Sequence, residues 1–200
     1  MLASVLRGGT RSTGLIVRLA GLVTAAFMLA APVCAQTFDS PRPLKPDDAF
    51  GSEVTLPERT ILYFRGHGNW DTAFETLIDA FASLKDYMQS KNIAASGNPM
   101  TIYMQTSDAG FDFLAALPIA AEPKDPPKGD IGVSKIPSGR ALKFTHRGSY
   151  EALDTTYEAI TNYLDEKQID AKETFIETYV SGPLKAGDKD MVVEIYVPVK

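Results

Sequence analysis

The sequence carries the same order of structural signals twice, and this duplication limits the folds available to it. The segments 68–93 and 148–169 both begin with a glycine, a helix N-cap residue, an aromatic residue and an acidic residue, and both end in Lys-x-Ile. In each segment apolar residues recur at spacings of three and four, which is typical of a helix with one buried face. They are Phe74, Leu77, Phe81, Leu84 and Met88 in the first segment and Leu153, Tyr157, Ile160 and Leu164 in the second. Each segment therefore predicts one amphipathic helix.

Both predicted helices start with a capping signal. Asn69 and Ser149 are N-cap residue types, whose side-chain oxygens can accept a hydrogen bond from a free backbone N–H group. Asp71 and Glu151 follow in the first turn, where a negative charge meets the positive end of the helix dipole. We expect the helices to begin directly after the N-cap residues Asn69 and Ser149.

Strand-like segments flank the two helices. They are 60–66, 100–106 and 111–119 in the first half and 141–148, 175–180 and 191–199 in the second. We expect 131–137 to extend the strand at 141–148. Each half is thus a β-α-β-β unit, which cannot bury both faces of its strands alone. Two such units related by a pseudo-twofold axis predict an α+β fold with a curled antiparallel sheet, both main helices on one side and a cleft at the seam.

The first 35 residues have the composition of a secretory signal peptide. Arg7, Arg11 and Arg18 form a basic region, 19–31 is apolar, and small residues precede a cleavage position after Ala35. An uncleaved anchor is the alternative, although the apolar run is shorter than the roughly 20 residues of a membrane span. We expect a periplasmic or secreted protein with no stable membrane span after processing.

The remaining chain divides into a leader and one domain. The proline-rich segment 36–54 is predicted to be a flexible leader. The domain is expected at 55–200, with a first repeat at 55–120, a charged loop at 120–130 and a second repeat at 131–200.

Composition excludes several kinds of function. The single cysteine, Cys34, lies in the predicted signal peptide, so the mature domain would have no disulfide and no thiol nucleophile. The formal net charge of −5 is unfavourable for nucleic-acid binding and favours cationic ligands. His67 and His146 have no acidic residue at a metal-ligand spacing, and no phosphate loop or nucleophile elbow is present in the sequence. We predict no catalytic residue, no metal site, no cofactor and no nucleic-acid partner.

A carboxylate stands among aromatic residues in the predicted strand "FIETYV", at 175–180. Strand alternation places Phe175, Glu177 and Tyr179 on one face. A buried carboxylate must be paired, be protonated or face a wet cavity, because desolvation of an isolated charge is costly. Lys143 or Arg147 is one possible partner, and a ligand cation is another.

The second half resembles a known family in "PSGRALKFTHRGSYEAL" (137–153), "ETYVSGP" (177–183) and "EIYVPV" (194–199). These motifs are similar to the GyrI-like, or AraC-type effector-binding, small-molecule domain. The resemblance implies a duplicated α+β fold that binds lipophilic, often cationic compounds in a cleft between the repeats. It also implies that the glutamate of the penultimate strand lies at the base of the pocket, which here is Glu177, followed by Tyr179.

The resemblance makes six residues candidates for ligand binding. One supplies the negative charge and the others supply ring surface. They are Glu177, Tyr179, Tyr150, Trp70, Tyr103 and Phe175. Tyr157 is assigned to the helix core, and Thr101 occupies the position of Glu177 in the first repeat, so one carboxylate is expected.

Three functions are consistent with this pattern. The first is an exported domain that captures a small hydrophobic molecule, cationic or aromatic, without turnover. The second is a hydrolase of strained electrophilic molecules, as described for some relatives, with Glu177 as general base. The third is a module that binds a protein of the cell envelope. No helix-turn-helix segment is present in the sequence, so we do not expect a DNA-binding regulator.

Overall fold

The computed structural model describes residues 50–185 and 187–200, which form one eight-stranded antiparallel sheet and two α-helices. The strands are β1 (Ser52–Leu56), β2 (Thr60–Gly68), β3 (Met100–Ser107), β4 (Gly110–Pro118), β5 (Ile131–Lys135), β6 (Gly139–Gly148), β7 (Phe175–Tyr179) and β8 (Met191–Pro198). The helices are α1 (Ala73–Ser90) and α2 (Leu153–Lys167), each preceded by a short 3-10 helix, Trp70–Thr72 and Tyr150–Ala152. The predicted α+β class is confirmed. The predicted signal peptide and most of the leader lie outside the described residues.

Equivalent strands of the two halves follow one another in the same order from either end of the sheet. It runs β1-β6-β8-β7-β3-β4-β2-β5, so β7 and β3 are central and the two halves mirror each other. The pairing registers agree with this duplication: Ile61 pairs with Pro118 between β2 and β4, and Ala141 pairs with Pro198 between β6 and β8. Pro118 and Pro198 are the prolines that close the two matching strand segments of the sequence.

Each repeat has a leading strand that pairs with the other repeat. The prediction that 131–137 extends the strand at 141–148 is wrong, because β5 forms its ladder with β2. In the same way β1 pairs with β6, starting at Ser52 opposite Lys143. The last three residues of the expected leader, 52–54, therefore belong to the sheet.

Two short connections require the sheet to be curled. β1 and β2 are first and seventh in the strand order, about 29 Å apart in a flat sheet with strands about 4.8 Å apart. The connection 57–59 is too short for this, since the chain from Leu56 to Thr60 reaches at most about 14 Å. The ends of the sheet must therefore approach each other. The connection between β5 and β6 crosses in the same way, and Ile136 donates its backbone N–H to the carbonyl of Arg59 at 3.0 Å.

The two faces of the sheet bury different sets of residues. The face that we call the helix face carries both helices, and its core includes Leu77 of α1 and Tyr157 of α2. The opposite face, which we call the helix-free face, has its own apolar core around Ile102 and Ile176. Ile136, from the connection between β5 and β6, packs into that second core.

The two predicted helix caps have different outcomes. The Asn69 side chain accepts a hydrogen bond from the Thr72 N–H at 3.0 Å, as predicted. Ser149 lies at the equivalent position, but its side chain makes no capping bond. Its carbonyl instead accepts the Nε2–H of His146 at 3.0 Å, while Nδ1 of the same ring accepts the hydroxyl of Thr156 at 2.7 Å. Burial lowers the pKa of His146, so the neutral ring ties β6 to the start of α2.

Candidate functional site

Glu177 lies at the centre of the sheet, where the two repeats meet. Phe175, Glu177 and Tyr179 share the helix face, as strand alternation predicts, and Glu177 is only 1% exposed. It pairs directly with Thr101 of β3, the residue at its equivalent position in the first repeat. The carboxylate therefore lies beside the pseudo-twofold axis that the strand order defines.

Three tyrosine hydroxyls donate hydrogen bonds to the Glu177 carboxylate. Tyr157, from α2, donates to Oε1 at 2.7 Å. Tyr179 and Tyr103 donate to Oε2 at 2.9 and 3.3 Å. Because the Tyr179 proton is directed to Glu177, the hydroxyl of Thr101 donates to Tyr179 Oη at 2.7 Å. The carboxylate is thus held by donors from α2 and from both central strands.

The partners of the Glu177 oxygens among the described residues are neutral tyrosines. Lys143, which the sequence offered as a partner, lies on the helix-free face and binds Glu194 Oε1 through Nζ at 3.3 Å. Arg147, the other candidate, follows the inward-facing His146 on β6 and therefore lies on the helix-free side as well. The ion pairs that the sequence allowed are not formed.

Burial determines the protonation behaviour of the cluster. Burial raises the pKa of Glu177, and the hydrogen bonds from Tyr157, Tyr179 and Tyr103 offset part of that increase. Burial and the negative charge of Glu177 raise the pKa of all three phenols well above the usual range. The phenols therefore remain protonated and act as donors. A carboxylate that ionises here puts a negative charge into an apolar surrounding, and within the described part of the chain no cationic side chain is hydrogen-bonded to it.

Aromatic rings fill the space around the carboxylate. Tyr103 and Phe175 stack with centroids 4.5 Å apart, and the ring of Tyr157 meets Phe175 edge-on at 5.2 Å. Phe81 of α1 packs edge-on against Tyr179 at 5.8 Å. These rings leave Glu177 only 1% exposed, so the structure does not confirm the expected open cleft at this residue. Two surface grooves, of about 450 and 270 Å³, are lined by other residues.

Trp70 forms an outer part of the aromatic cluster. Its ring stacks over Tyr103 at 6.5 Å and packs against Phe111 at 4.6 Å. The indole Nε1–H donates to the carbonyl of Ser107 at 2.7 Å, which fixes the ring orientation. Trp70 is half-buried, and it contacts Tyr103, which in turn donates to Glu177.

Tyr150 forms the other outer part, at the start of the second helix. Its ring is half-buried and contacts Phe74 of α1 with centroids 5.0 Å apart. This contact bridges the first turns of the two helices above the cluster. Burial and the charge of Glu177 raise the pKa of Tyr150.

The structure places the six predicted residues in an inner and an outer group around the Glu177 carboxylate. The inner group contains Glu177, Tyr179, Tyr103 and Phe175, and the outer group contains Trp70 and Tyr150. Sequence reasoning missed Tyr157, which was assigned to the core but makes the shortest hydrogen bond to Glu177. The signal was available, since a tyrosine on a buried helix stripe needs a partner for its hydroxyl.

The described residues offer little for other chemistry. Within 50–185 and 187–200, no group of three or more His, Cys, Asp and Glu side chains is placed to hold a metal ion. His67 forms a surface pair with Asp112, with Nδ1 and Oδ1 2.8 Å apart. In the same part of the chain, no helix combines the length and the apolar character that a bilayer span requires.

Comparison with known proteins gives one family and a set of similar folds. The family model of the GyrI-like small molecule binding domain matches residues 52–200. Comparison with curated proteins finds no match.

Three solved structures illustrate the shared fold. The EcmrR–DNA complex in EcmrR-RPo aligns with a TM-score of 0.62 and 17% identity, over 75% of this chain and 57% of that chain. This chain thus spans little more than half of that protein. SAV2435 bound to tetraphenylphosphonium gives 0.55 and 13%, over 76% and 94%. The hydrolase encoded by lin2189 from Listeria innocua gives 0.53 and 13%, over 83% and 96%. At these identities the likeness is one of fold.

Replacing Glu177 by glutamine is expected to stabilise the free domain at neutral pH. Folding raises the pKa of Glu177. The contribution of this carboxyl to the free energy of unfolding is therefore complete below about pH 4.3, the pKa of glutamate in the unfolded chain. It is lost as the pH rises through the pKa of the folded state. Glutamine does not ionise, so it avoids the cost of a buried charge. Glu177→Gln should therefore raise the melting temperature at pH 7.5, by about 2–4 °C for each kcal/mol gained in the free energy of unfolding.

The measurement is the free energy of unfolding of parent and variant in urea between pH 4.5 and 8. The advantage of the variant should grow with pH, and the comparison cancels the opposite pH dependence of His146, which both proteins retain. Glu158→Gln, on the exposed face of α2, is the matched control and should show no such trend. A variant that is less stable than the parent at every pH would contradict this account.

Proposed function

The chain belongs to the GyrI-like family of small-molecule binding domains, and we propose that its Glu177 cluster captures a hydrophobic organic cation. One observation carries the proposal: a carboxylate that is 1% exposed has only neutral tyrosines as partners among the described residues. Such a charge costs folding free energy, which a cationic guest would offset. The domain would therefore gain more from a cation than from a neutral molecule of the same shape.

The surroundings of Glu177 favour a cation with a diffuse charge. A compact inorganic or ammonium ion would lose a large hydration energy in this apolar site, and among the described residues no second carboxylate is hydrogen-bonded to the three tyrosines that hold Glu177. A phosphonium or quaternary ammonium ion with aryl groups loses less hydration. It would also gain about 0.5–2 kcal/mol for each well-placed ring face, and Tyr103, Tyr157 and Tyr179 could provide such faces once the packed rings move apart.

Binding requires the rings to move, because the cluster is packed in this structure. Phe74 and Tyr150 are both half-buried, and their contact joins the first turn of α1 to the short 3-10 helix that precedes α2. Both helices begin there with a short 3-10 helix, whose hydrogen-bond geometry is poorer than that of an α-helix. We infer that a guest reaches Glu177 by separating these two rings.

The hydrogen bonds favour capture over hydrolysis. A general base needs a lone pair directed at water, but three of the four lone-pair positions of Glu177 are taken: Oε1 accepts from Tyr157 and Oε2 from two further tyrosines. A cation, in contrast, needs only the charge. We therefore place the hydrolase alternative second.

Tetraphenylphosphonium and tetraphenylborate test the proposal, since they have the same shape and opposite charge. We expect the domain to bind the phosphonium and to discriminate against the borate by at least about tenfold. Glu177→Gln should weaken phosphonium binding by about tenfold or more, because a charge-assisted interaction is worth about 1.5–3 kcal/mol. Calorimetry on the parent, Glu177→Gln and the Glu158→Gln control gives the affinities.

Equal affinity for the two ions, or unchanged phosphonium affinity in Glu177→Gln, would contradict the proposal. The thermal stability expected of Glu177→Gln ensures that lost binding is not lost folding. If each protein molecule converted many molecules of a reactive ligand to a hydrated product, the hydrolase function would be favoured instead.

We further propose that the domain works outside the cytoplasm. The support is the basic and apolar pattern of 1–35, which fits a secretory signal with cleavage after Ala35. The absence of cysteine from the rest of the chain is compatible with an oxidising compartment.

Export is tested by expressing the whole chain in a bacterium and sequencing the N-terminus of the purified protein. We expect the mature chain to begin at Gln36 and to be released with the periplasmic fraction. Ala35→Arg should block processing, because a large charged residue does not fit the small-residue cleavage position. An unprocessed chain in the cytoplasm would refute export without affecting the binding proposal.

A further inference from the structure

A groove of about 270 Å³ lies on the helix-free face of the sheet. Met100, Ile176 and Thr178 from the two central strands form its floor. Leu56 and Ile136, at the two connections that cross between the repeats, form part of its wall. The curl of the sheet brings these apolar groups together, so the groove results from the same constraint that shapes the fold.

The groove lies on the same axis as Glu177 but on the other side of the sheet. Met100 pairs with Thr178, and the next pair along the two strands is Thr101 with Glu177. Alternate residues of a strand point to opposite faces, so the groove and the carboxylate are separated by the thickness of the sheet. A ligand in one site does not touch the other.

The charges around the groove differ in sign from those around Glu177. Its one carboxylate, Glu194, is already neutralised: Lys143 binds Oε1 at 3.3 Å and the Tyr196 hydroxyl donates to Oε2 at 2.6 Å. Arg59 also lines the groove, is exposed, and has no carboxylate within salt-bridge range among the described residues. Asn98, at the rim, adds a polar amide. One cation of the groove is thus left for a ligand.

We propose that this groove is a second ligand site, which binds a small amphiphilic anion such as an alkyl carboxylate. The hydrocarbon part covers Met100, Ile136 and Ile176, and the carboxylate meets the guanidinium of Arg59. Arginine suits this role because its planar fork can donate two parallel hydrogen bonds to one carboxylate. The volume equals that of about nine water molecules, which limits the ligand to a short or medium chain.

The proposal does not depend on the Glu177 site. A carboxylate ligand would be repelled by an ionised Glu177, and a hydrophobic cation would meet Arg59 with the wrong charge. Each class of ligand is therefore suited to one face only. The test uses no cationic ligand, so its outcome is separate from that of the phosphonium titration.

Octanoate is the probe, and octanol is the neutral control of the same chain length. We expect octanoate to bind more tightly than octanol and to shift the NMR signals of Met100, Ile136 and Ile176. Arg59→Gln should weaken octanoate binding about five- to tenfold and leave octanol binding unchanged. Lys85→Gln, which removes an exposed cation of α1, is the matched control and should bind octanoate as the parent does.

The Arg59 side chain is exposed, and the hydrogen bond to Ile136 is made by the Arg59 backbone carbonyl, which the substitution does not change. Arg59→Gln should therefore keep the parent melting temperature. The proposal is overturned if Arg59→Gln binds octanoate as tightly as the parent, or if octanol binds as well as octanoate. Shifts confined to the tyrosines of the helix face would also overturn it, since they would place octanoate at the other site.

Discussion

The interaction between Glu177 and three tyrosine hydroxyls is the point on which the rest of this structure depends. It joins α2, through Tyr157, to the two central strands, through Tyr179 and Tyr103, so it ties the repeats together at their seam. Three neutral donors give both carboxylate oxygens a hydrogen-bond partner but do not neutralise the charge. The arrangement therefore holds the carboxylate in place and leaves its charge without a counter-ion among the described residues, which is the basis of the proposed cation binding.

The duplication of the fold explains why only one carboxylate is present. Thr101 and Glu177 are equivalent residues that face each other across β3 and β7. Directly opposed strand residues have Cβ atoms about 4.5–5.5 Å apart, and like charges there are destabilising. A second glutamate would repel the first, whereas Thr101 donates to Tyr179 and so supports the donor set. The repeats are alike in register but must differ at the residue where they meet.

Sequence periodicity predicted the helices, the six strands next to them and the shared face of Phe175, Glu177 and Tyr179. It did not predict that β1 and β5 pair with the opposite repeat, because pairing over such distances leaves no trace in local pattern. That exchange, with its short connections, curls the sheet and creates the groove beside Arg59. Sequence periodicity also assigned Tyr157 to the core, because helical spacing indicates burial but not the partner of a hydroxyl. The ring packing that closes the cluster depends on how α1 and α2 meet, which no single segment encodes.

The most direct test of the central claim is the titration of Glu177 itself, followed by the carbon-13 shift of its side-chain carboxyl. The account predicts a pKa above the ordinary glutamate range in the free domain, because burial outweighs the tyrosine hydrogen bonds. It predicts a fall in that pKa when tetraphenylphosphonium is bound, since a cation favours the ionised form. An ordinary pKa in the free domain, or one that the phosphonium leaves unchanged, would contradict the assignment of Glu177 as the charge that recognises the ligand.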